Sequence, residues 1–147
     1  MSEAEHKYEV DLSWKKDRIG TLRSNELEQE IEVATPPQFP GGVEGIWSPE
    51  HLFTSSVSSC FMTTFIAIAE YSKLEFKELD VNATAKVGKV DGKFEVTEII
   101  LRPQLVIADE KRSDKALRIL EKAEKACLIS RSVSTEILLN PDIQVIA

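Results

Sequence analysis

The sequence predicts a single α+β domain over residues 1–147, with mainly antiparallel sheets and two helices. Three observations support this class. Residues 7–15 alternate apolar and polar side chains, which is the period of a strand. Residues 52–69 carry no charge and are long enough for a helix, and Asp91-Gly92 is a strong signal for a tight hairpin turn. The resulting order of strands, helix, hairpin, helix and strands is typical of α+β proteins.

Seven segments have the alternation or turn boundaries expected of strands. They are residues 7–15, 20–24, 28–33, 77–88, 93–107, 134–139 and 143–146. Lys15–Gly20 reads as the turn between the first two, and the Pro/Gly-rich residues 35–42 exclude regular structure. Pro103, which cannot donate a backbone hydrogen bond, predicts a sheet edge or a bulge in the fifth strand.

Two helices complete the expected elements. Ser48 as N-cap, Pro49 at the first position and Glu50 in the first turn start a helix that runs to about Ser72. Because this helix is apolar nearly all round, we expect it to be central and buried. The second helix is expected over residues 114–127. Its apolar stripe consists of Ala116, Leu120, Ala123 and Cys127.

Composition limits the classes of partner and location. The net charge of −7 argues against nucleic acid, because phosphate binding needs a basic face. Residues 52–69 are barely long enough to span a bilayer and contain seven hydroxyl side chains, so no membrane association is expected. The acidic N-terminus has no apolar stretch, so we expect no signal peptide and a cytoplasmic location with reduced thiols.

The two cysteines are the main candidates for chemistry. Cys60 lies among small residues in the long helix, and Cys127 follows 67 residues later. Neither forms a CxxC pair, which disfavours a thioredoxin-type oxidoreductase. On residue chemistry alone, two buried core cysteines are the default interpretation, and whether the two meet stays open. The two histidines and two cysteines lack zinc-like spacing, so no metal and no cofactor is expected.

A longer pattern resembles a known family. Residues 40–61, PGGVEGIWSPEHLFTSSVSSCF, resemble the OsmC/Ohr family of osmotically inducible and organic hydroperoxide resistance proteins. That pattern is a Gly-Gly turn, a Ser-Pro-Glu helix start and a cysteine ten residues after the Glu, and Glu50 and Cys60 match it. A second family block, an Ala-rich helix that ends in Cys with Ser shortly after, matches residues 123–132.

The resemblance implies a fold and a reaction. It implies an OsmC-like homodimer with the long helices at its centre, Cys60 as the peroxidatic cysteine and Cys127 as the resolving cysteine. Organic hydroperoxide would be the substrate, and an external dithiol would reduce the Cys60–Cys127 disulfide. In the family an Arg held by the helix-start Glu stabilises the thiolate, and Arg18 and Glu50 match these roles. The family's Gly-rich turn is here Lys-Lys-Asp-Arg-Ile-Gly, so Arg23 remains an alternative to Arg18.

Two other functions remain open. One is a non-catalytic stress or ligand-binding protein of the same fold with buried cysteines, and the other is a hydrolase that uses Cys60. Geometry adds a constraint on Glu50, because ten residues of straight helix place it about 15 Å from Cys60 along the axis. Either the helix bends or breaks between them, or Glu50 serves the cysteine of a second subunit. The shared site is the favoured prediction.

Overall fold

The computed structural model describes residues 5–147, so the first four residues of the N-terminus considered above lie outside the described part. That part contains seven strands and three α-helices, which confirms the α+β class. In chain order they are β1 Asp11–Lys16, β2 Ile19–Arg23, β3 Ile31–Ala34, α1 Pro49–Tyr71, β4 Glu78–Val90, β5 Lys93–Ile107, α2 Ser113–Ala126, α3 Leu128–Arg131, β6 Glu136–Leu139 and β7 Asp142–Val145. The backbone divides into two compact units, up to Leu52 and from Phe53 onward. A single folding domain therefore stays a prediction.

The first unit contains a three-stranded antiparallel sheet in the order β1-β2-β3. One face of this sheet is apolar, because Leu12 lies opposite Leu22 and Leu22 lies opposite Ile31. Within the single chain this face is open, with Trp14 77% exposed and Leu12 63% exposed. An apolar sheet face of this kind is normally covered by another element.

The irregular segment predicted over residues 35–42 depends on a pair of glycines. Gly41 has a φ of +80°, a backbone conformation that side chains disfavour. At Gly42 a Cβ atom would lie 2.1 Å from the carbonyl oxygen of Pro36, so only glycine fits there. The loop therefore packs backbone against backbone in a way that the Gly-Gly sequence alone permits.

The start of α1 is capped as predicted, with one addition. The Ser48 hydroxyl accepts a hydrogen bond from the His51 amide over 3.1 Å. In return, the Ser48 amide donates to His51 Nδ1 over 3.3 Å. This is a reciprocal capping box in which His replaces the usual Glu or Gln at the third helical position.

Helix α1 is long and apolar but only partly covered. By length and composition it is the one described helix that could cross a membrane, with mean hydropathy 1.6, a test that core helices of other proteins also pass. A single stripe is buried, consisting of Val57, Phe61, Phe65 and Ala69. Only 22% of its most apolar window is buried inside the chain. The buried central position expected from the sequence is therefore not reached within one chain.

The second unit is built on a four-stranded sheet. Strands β4 and β5 form the predicted antiparallel hairpin, whose turn residues Asp91 and Gly92 have φ values of 52° and 78°. Two positive values are typical of the type I′ turn that suits strand twist. Strands β6 and β7 both pair parallel to β5, one after the other along its other edge.

Pro103 is not at a sheet edge or in a bulge, so that prediction is wrong. It lies buried in β5, a central strand, opposite Val81. Strand β6 pairs with β5 up to Leu101, and β7 begins to pair at Gln104. The Leu101 carbonyl accepts from Asn140, and the Pro103 nitrogen faces the same side of the strand two residues later. Its missing N–H thus falls in the gap between β6 and β7, where no acceptor strand is present.

One face of this sheet packs against α2 and the Phe53–Tyr71 part of α1. Strand β5 presents alternate buried residues to the helices, as a half-buried strand should. The core they form consists of Val57, Phe61, Phe65, Ala69, Leu74, Ile99, Leu101, Leu105, Ile107, Ala116, Ile119, Leu120 and Ala123. This core fixes α1, which carries Cys60, and α2, which ends one residue before Cys127.

Candidate functional site

The two helices bring Cys60 and Cys127 together. At one end, the Lys115 ammonium group at the start of α2 donates to the carbonyl oxygen of Ser72, just past the end of α1, over 2.6 Å. At the other end, the Cys127 thiol lies within hydrogen-bonding reach of the Cys60 sulfur. Twelve residues separate these contacts along each of the two segments, so α1 and α2 run antiparallel in matched register.

The environment of Cys60 favours its thiolate. Burial is the largest single influence and would raise the pKa of the Cys60 thiol. Hydrogen bonds from the Cys127 thiol, the Ile129 amide, the Thr64 hydroxyl and the Leu128 amide oppose this effect. Together they lower the pKa of Cys60 below that of an ordinary cysteine. The Thr64 oxygen lies 3.9 Å from the Cys60 sulfur, one helical turn further along α1.

Cys127 lies at a backbone junction. The sequence predicted it as the last residue of the second helix, but α2 ends at Ala126 and Cys127 is extended, with φ −63° and ψ 121°. It is also the N-cap of α3, which turns the amides of that short helix towards the sulfur pair. Cys127 is fully buried. Burial, followed by the hydrogen bond it donates to Cys60, raises the pKa of the Cys127 thiol.

The two thiols are therefore chemically different although they lie side by side. Cys60 is partly exposed with a lowered pKa, and Cys127 is buried with a raised pKa. Because the thiolate is the nucleophile, the lowered pKa and the partial exposure favour Cys60 over Cys127 as the nucleophilic sulfur. Both are free thiols, so the pair is in its reduced form. Among residues 5–147, no cluster of three His, Cys, Asp or Glu side chains is placed to hold a metal ion.

The two candidate arginines have different surroundings. Arg18 is exposed in the β1–β2 turn, after Asp17 with its φ of 48°. Its side chain passes over Gly41, where a Cβ atom would lie 3.2 Å from the Arg18 Nε. Arg23 instead donates to the Ser13 hydroxyl over 2.9 Å. It also forms an ion pair with Glu30, the residue before β3. Arg23 is thus engaged inside its sheet, whereas Arg18 is exposed beside Gly41.

Glu50 occupies the first turn of α1, as predicted. Helix α1 continues without interruption from Pro49 to Tyr71, so the predicted alternative of a break between Glu50 and Cys60 is wrong. At 1.5 Å per residue, the two positions are about 15 Å apart along the axis. One carboxylate cannot organise a contact at that thiolate through a straight helix. The catalytic roles of Glu50 and Arg18 stay predictions.

Several groups around the sulfurs were not found from the sequence. Thr64 could have been found, because it lies four residues after Cys60 and so on the same helical face. The amides of Leu128 and Ile129 have no sequence signal, since any residue carries an amide. Ser130 was noticed only as part of a family pattern, and its hydroxyl lowers the pKa of Cys127 against the stronger effect of burial.

Sequence comparison identifies relatives over most of the chain. The family described as OsmC-like protein matches residues 41–141. The uncharacterized protein YmaD of Bacillus subtilis is 30% identical over 141 residues, which is 92% of each chain.

Solved structures share the fold. An OsmC-like protein of unknown function from Vibrio cholerae has a TM-score of 0.85 at 25% identity, over 93% of this chain and 99% of its own. An organic hydroperoxide resistance protein from Elizabethkingia anophelis has a TM-score of 0.78 at 21% identity, over 99% of this chain and 100% of its own. At 21% identity, the similarity to the Elizabethkingia protein shows a shared fold.

Proposed function

The chain belongs to the OsmC-like protein family, and we propose that it is a thiol-dependent peroxidase that reduces organic hydroperoxides to alcohols. One observation carries the proposal: two neighbouring free thiols, Cys60 in α1 with a lowered pKa and Cys127 just after α2 with a raised pKa. A peroxidatic cysteine needs the lowered value, because only the thiolate attacks the peroxide oxygen. A resolving cysteine needs to be adjacent and to react second.

The proposed reaction has two steps at the sulfurs. The Cys60 thiolate attacks the outer oxygen of ROOH, the O–O bond breaks, and the alkoxide leaves as ROH after taking up a proton. Cys60 is then a sulfenic acid. The Cys127 thiolate attacks this sulfur, a disulfide forms, and hydroxide leaves as water after protonation. An external dithiol finally reduces the disulfide and returns both thiols.

The proposed substrate class follows from the apolar surroundings of Cys60. The Leu128 and Ile129 amides lie beside the Cys60 sulfur, and the apolar side chain of Leu128 is 67% exposed. Apolar surface favours a bulky R group over the second hydrogen of hydrogen peroxide. The name of the Elizabethkingia protein refers to the same class of compound. We therefore expect cumene hydroperoxide to react faster than hydrogen peroxide.

We also propose a homodimer, located in the cytoplasm, where dithiol reductants keep cysteines reduced. Two uncovered apolar surfaces support the dimer: the face of the first sheet that carries Leu12 and Trp14, and most of α1. Surfaces of this kind are typical of protein interfaces. In the dimer, Arg18 and Glu50 of one subunit would serve Cys60 of the other. This arrangement removes the difficulty that about 15 Å of unbroken helix separates Glu50 from its own cysteine.

The proposal is tested by titrating reduced protein with cumene hydroperoxide and counting free thiols. One equivalent should remove both thiols and leave an intramolecular Cys60–Cys127 disulfide. Cys60→Ser should consume no peroxide, whereas Cys127→Ser should consume one equivalent and stop as a sulfenic or overoxidised species. Two thiols that persist in excess peroxide would refute the proposal.

The complete burial of Cys127 favours one alternative, a non-catalytic stress or ligand-binding protein with inert core cysteines. The same titration separates the two functions, because inert cysteines would survive the peroxide. A Cys60 hydrolase has less support, since the Nδ1 atom of His51 is committed to the cap of α1.

A further inference from the structure

The hydroxyl of Ser130 is a buried polar group that lacks a hydrogen-bond partner among the described residues. Its oxygen is inaccessible to solvent, and within residues 5–147 it completes no hydrogen bond. Burying a hydroxyl in this state is unfavourable, so natural proteins seldom retain one without a use. Ser132, two residues later, shows the ordinary alternative, since its hydroxyl donates to the Leu128 carbonyl over 2.8 Å.

The position of Ser130 relative to Cys127 is that of a helix cap. Cys127 is the N-cap of α3, and Ser130 is the third residue of that helix. An N-cap side chain faces the amide at this third position, and in a capping box the third side chain faces back to the cap. The amide and the hydroxyl of Ser130 lie close enough to the Cys127 sulfur to lower the pKa of that thiol, although the Cys127 side chain completes no cap hydrogen bond to α3. A thiol is a weak acceptor, but a thiolate accepts such bonds strongly.

We propose that Ser130 is a catalytic residue of the resolving step, whose hydroxyl donates a hydrogen bond to the Cys127 sulfur as that sulfur becomes a thiolate. The inference rests on the proposed function, in which Cys127 attacks oxidised Cys60. It adds the group that stabilises the second nucleophile, as Thr64 and the α3 amides stabilise the first.

The order of the two steps follows from the charges. In the reduced protein, the negative charge on Cys60 and the hydrogen bond that Cys127 donates to it keep Cys127 protonated. Once the Cys60 sulfur has bonded the peroxide oxygen, it is a neutral sulfenic acid. The negative charge and the hydrogen bond that kept Cys127 protonated are then both lost. The Cys127 proton can then leave, and the Ser130 hydroxyl and amide remain to hold the thiolate. Cys127 is therefore activated only after Cys60 has reacted.

The test uses an aromatic disulfide, dithiobis(nitrobenzoate), in place of peroxide. The Cys60 thiolate attacks the reagent and releases a first nitrothiobenzoate, leaving a mixed disulfide. The Cys127 thiolate then attacks the Cys60 sulfur, closes the protein disulfide and releases a second nitrothiobenzoate. Stopped-flow absorbance resolves these two phases without any need for peroxidase activity.

Ser130→Ala should slow the second phase about tenfold and leave the first phase unchanged, as expected for one lost hydrogen bond to a charged group. Ser130→Thr, which keeps the hydroxyl, should restore the second phase. Ser132→Ala is the matched control, since it removes a hydroxyl bond at the C-cap of the same helix, and it should leave both phases unchanged.

A second phase that is equally fast in Ser130→Ala and the unchanged protein would overturn the inference. So would equal slowing by Ser132→Ala, which would point to helix integrity alone. Failure of the peroxidase proposal has a different result, since peroxide would leave both thiols intact while the two phases with the aromatic disulfide still report on Ser130.

Discussion

Replacing Gly41 by Ala should displace the Arg18 side chain, and comparison with a second glycine variant separates this displacement from a loss of loop stability. Gly41 has a φ of +80°, so the Ala variant carries a left-handed strain of about 1–2 kcal/mol. The new Cβ atom would also lie 3.2 Å from the Nε, 3.3 Å from the Cγ and 3.4 Å from the Cζ of Arg18. These contacts are tighter than ordinary packing, and the flexible arginine side chain will move to relieve them.

Gly45→Ala is a control matched in strain. Gly45 has a φ of +81°, but nothing lies within 4 Å of its added Cβ. Both variants should lose about 1–2 kcal/mol of unfolding free energy in urea titration. If Arg18 stabilises a Cys60 thiolate, only Gly41→Ala should also slow the reaction with cumene hydroperoxide. A charge-assisted hydrogen bond contributes about 1.5–3 kcal/mol, so its partial loss predicts about tenfold slower oxidation.

The reaction rate is measured by stopped-flow competition with a reference peroxidase, and it separates the possible outcomes. Equal rates for the two alanine variants would refute the inferred link between the Gly41 contact and the thiolate. A normal rate in Arg18→Ala would refute the role of the arginine itself and return attention to Arg23. If both glycine variants slow the reaction equally, the loop and not the arginine controls the site.

Three further predictions concern α1. Thr64→Val removes a hydrogen bond from the Cys60 sulfur, so the pKa of Cys60 rises and the pH midpoint of its alkylation by iodoacetamide moves up; an unchanged midpoint would contradict the assigned contact. Phe65→Ala should cost about 3–5 kcal/mol of unfolding free energy, whereas Tyr71→Ala, at a side chain 91% exposed, should change it by less than about 0.5 kcal/mol. Mixing Arg18→Ala subunits with Cys60→Ser subunits should recover peroxidase activity if the site is shared, and no recovery would place each arginine with its own cysteine.

The sequence was most informative where local chemistry decides the structure. Ser48 and Pro49 located the start of α1, and the Asp91-Gly92 pair located the hairpin, because caps and tight turns depend on a few adjacent residues. The alternation of apolar residues predicted the fifth strand over 93–107 with both of its ends. Strand ends elsewhere differ by up to four residues, since fraying ends carry little pattern.

Features set by tertiary packing were not predictable in the same way. The parallel pairing of β6 and β7 beside β5 involves residues about forty apart, and Pro103 is tolerated only because those two strands leave a gap. Likewise, the apolar stripe correctly placed Cys127 near the core but did not show that α2 stops one residue earlier. The contact of Cys60 with Cys127 depends on the register of two helices, which no spacing within either helix encodes.

The uncovered apolar surfaces and the chemistry of the cysteines both favour the proposed homodimer. Helix α1 is apolar nearly all round, but only one stripe of it is buried. The apolar face of the first sheet is also exposed in the same chain. Burial of apolar surface contributes about 25 cal/mol per Å², so two such surfaces favour association with each other. A second copy of the chain would supply both at once, which supports the proposed homodimer. In the proposed dimer, such packing would exclude water around Cys60 and so strengthen every hydrogen bond to its thiolate.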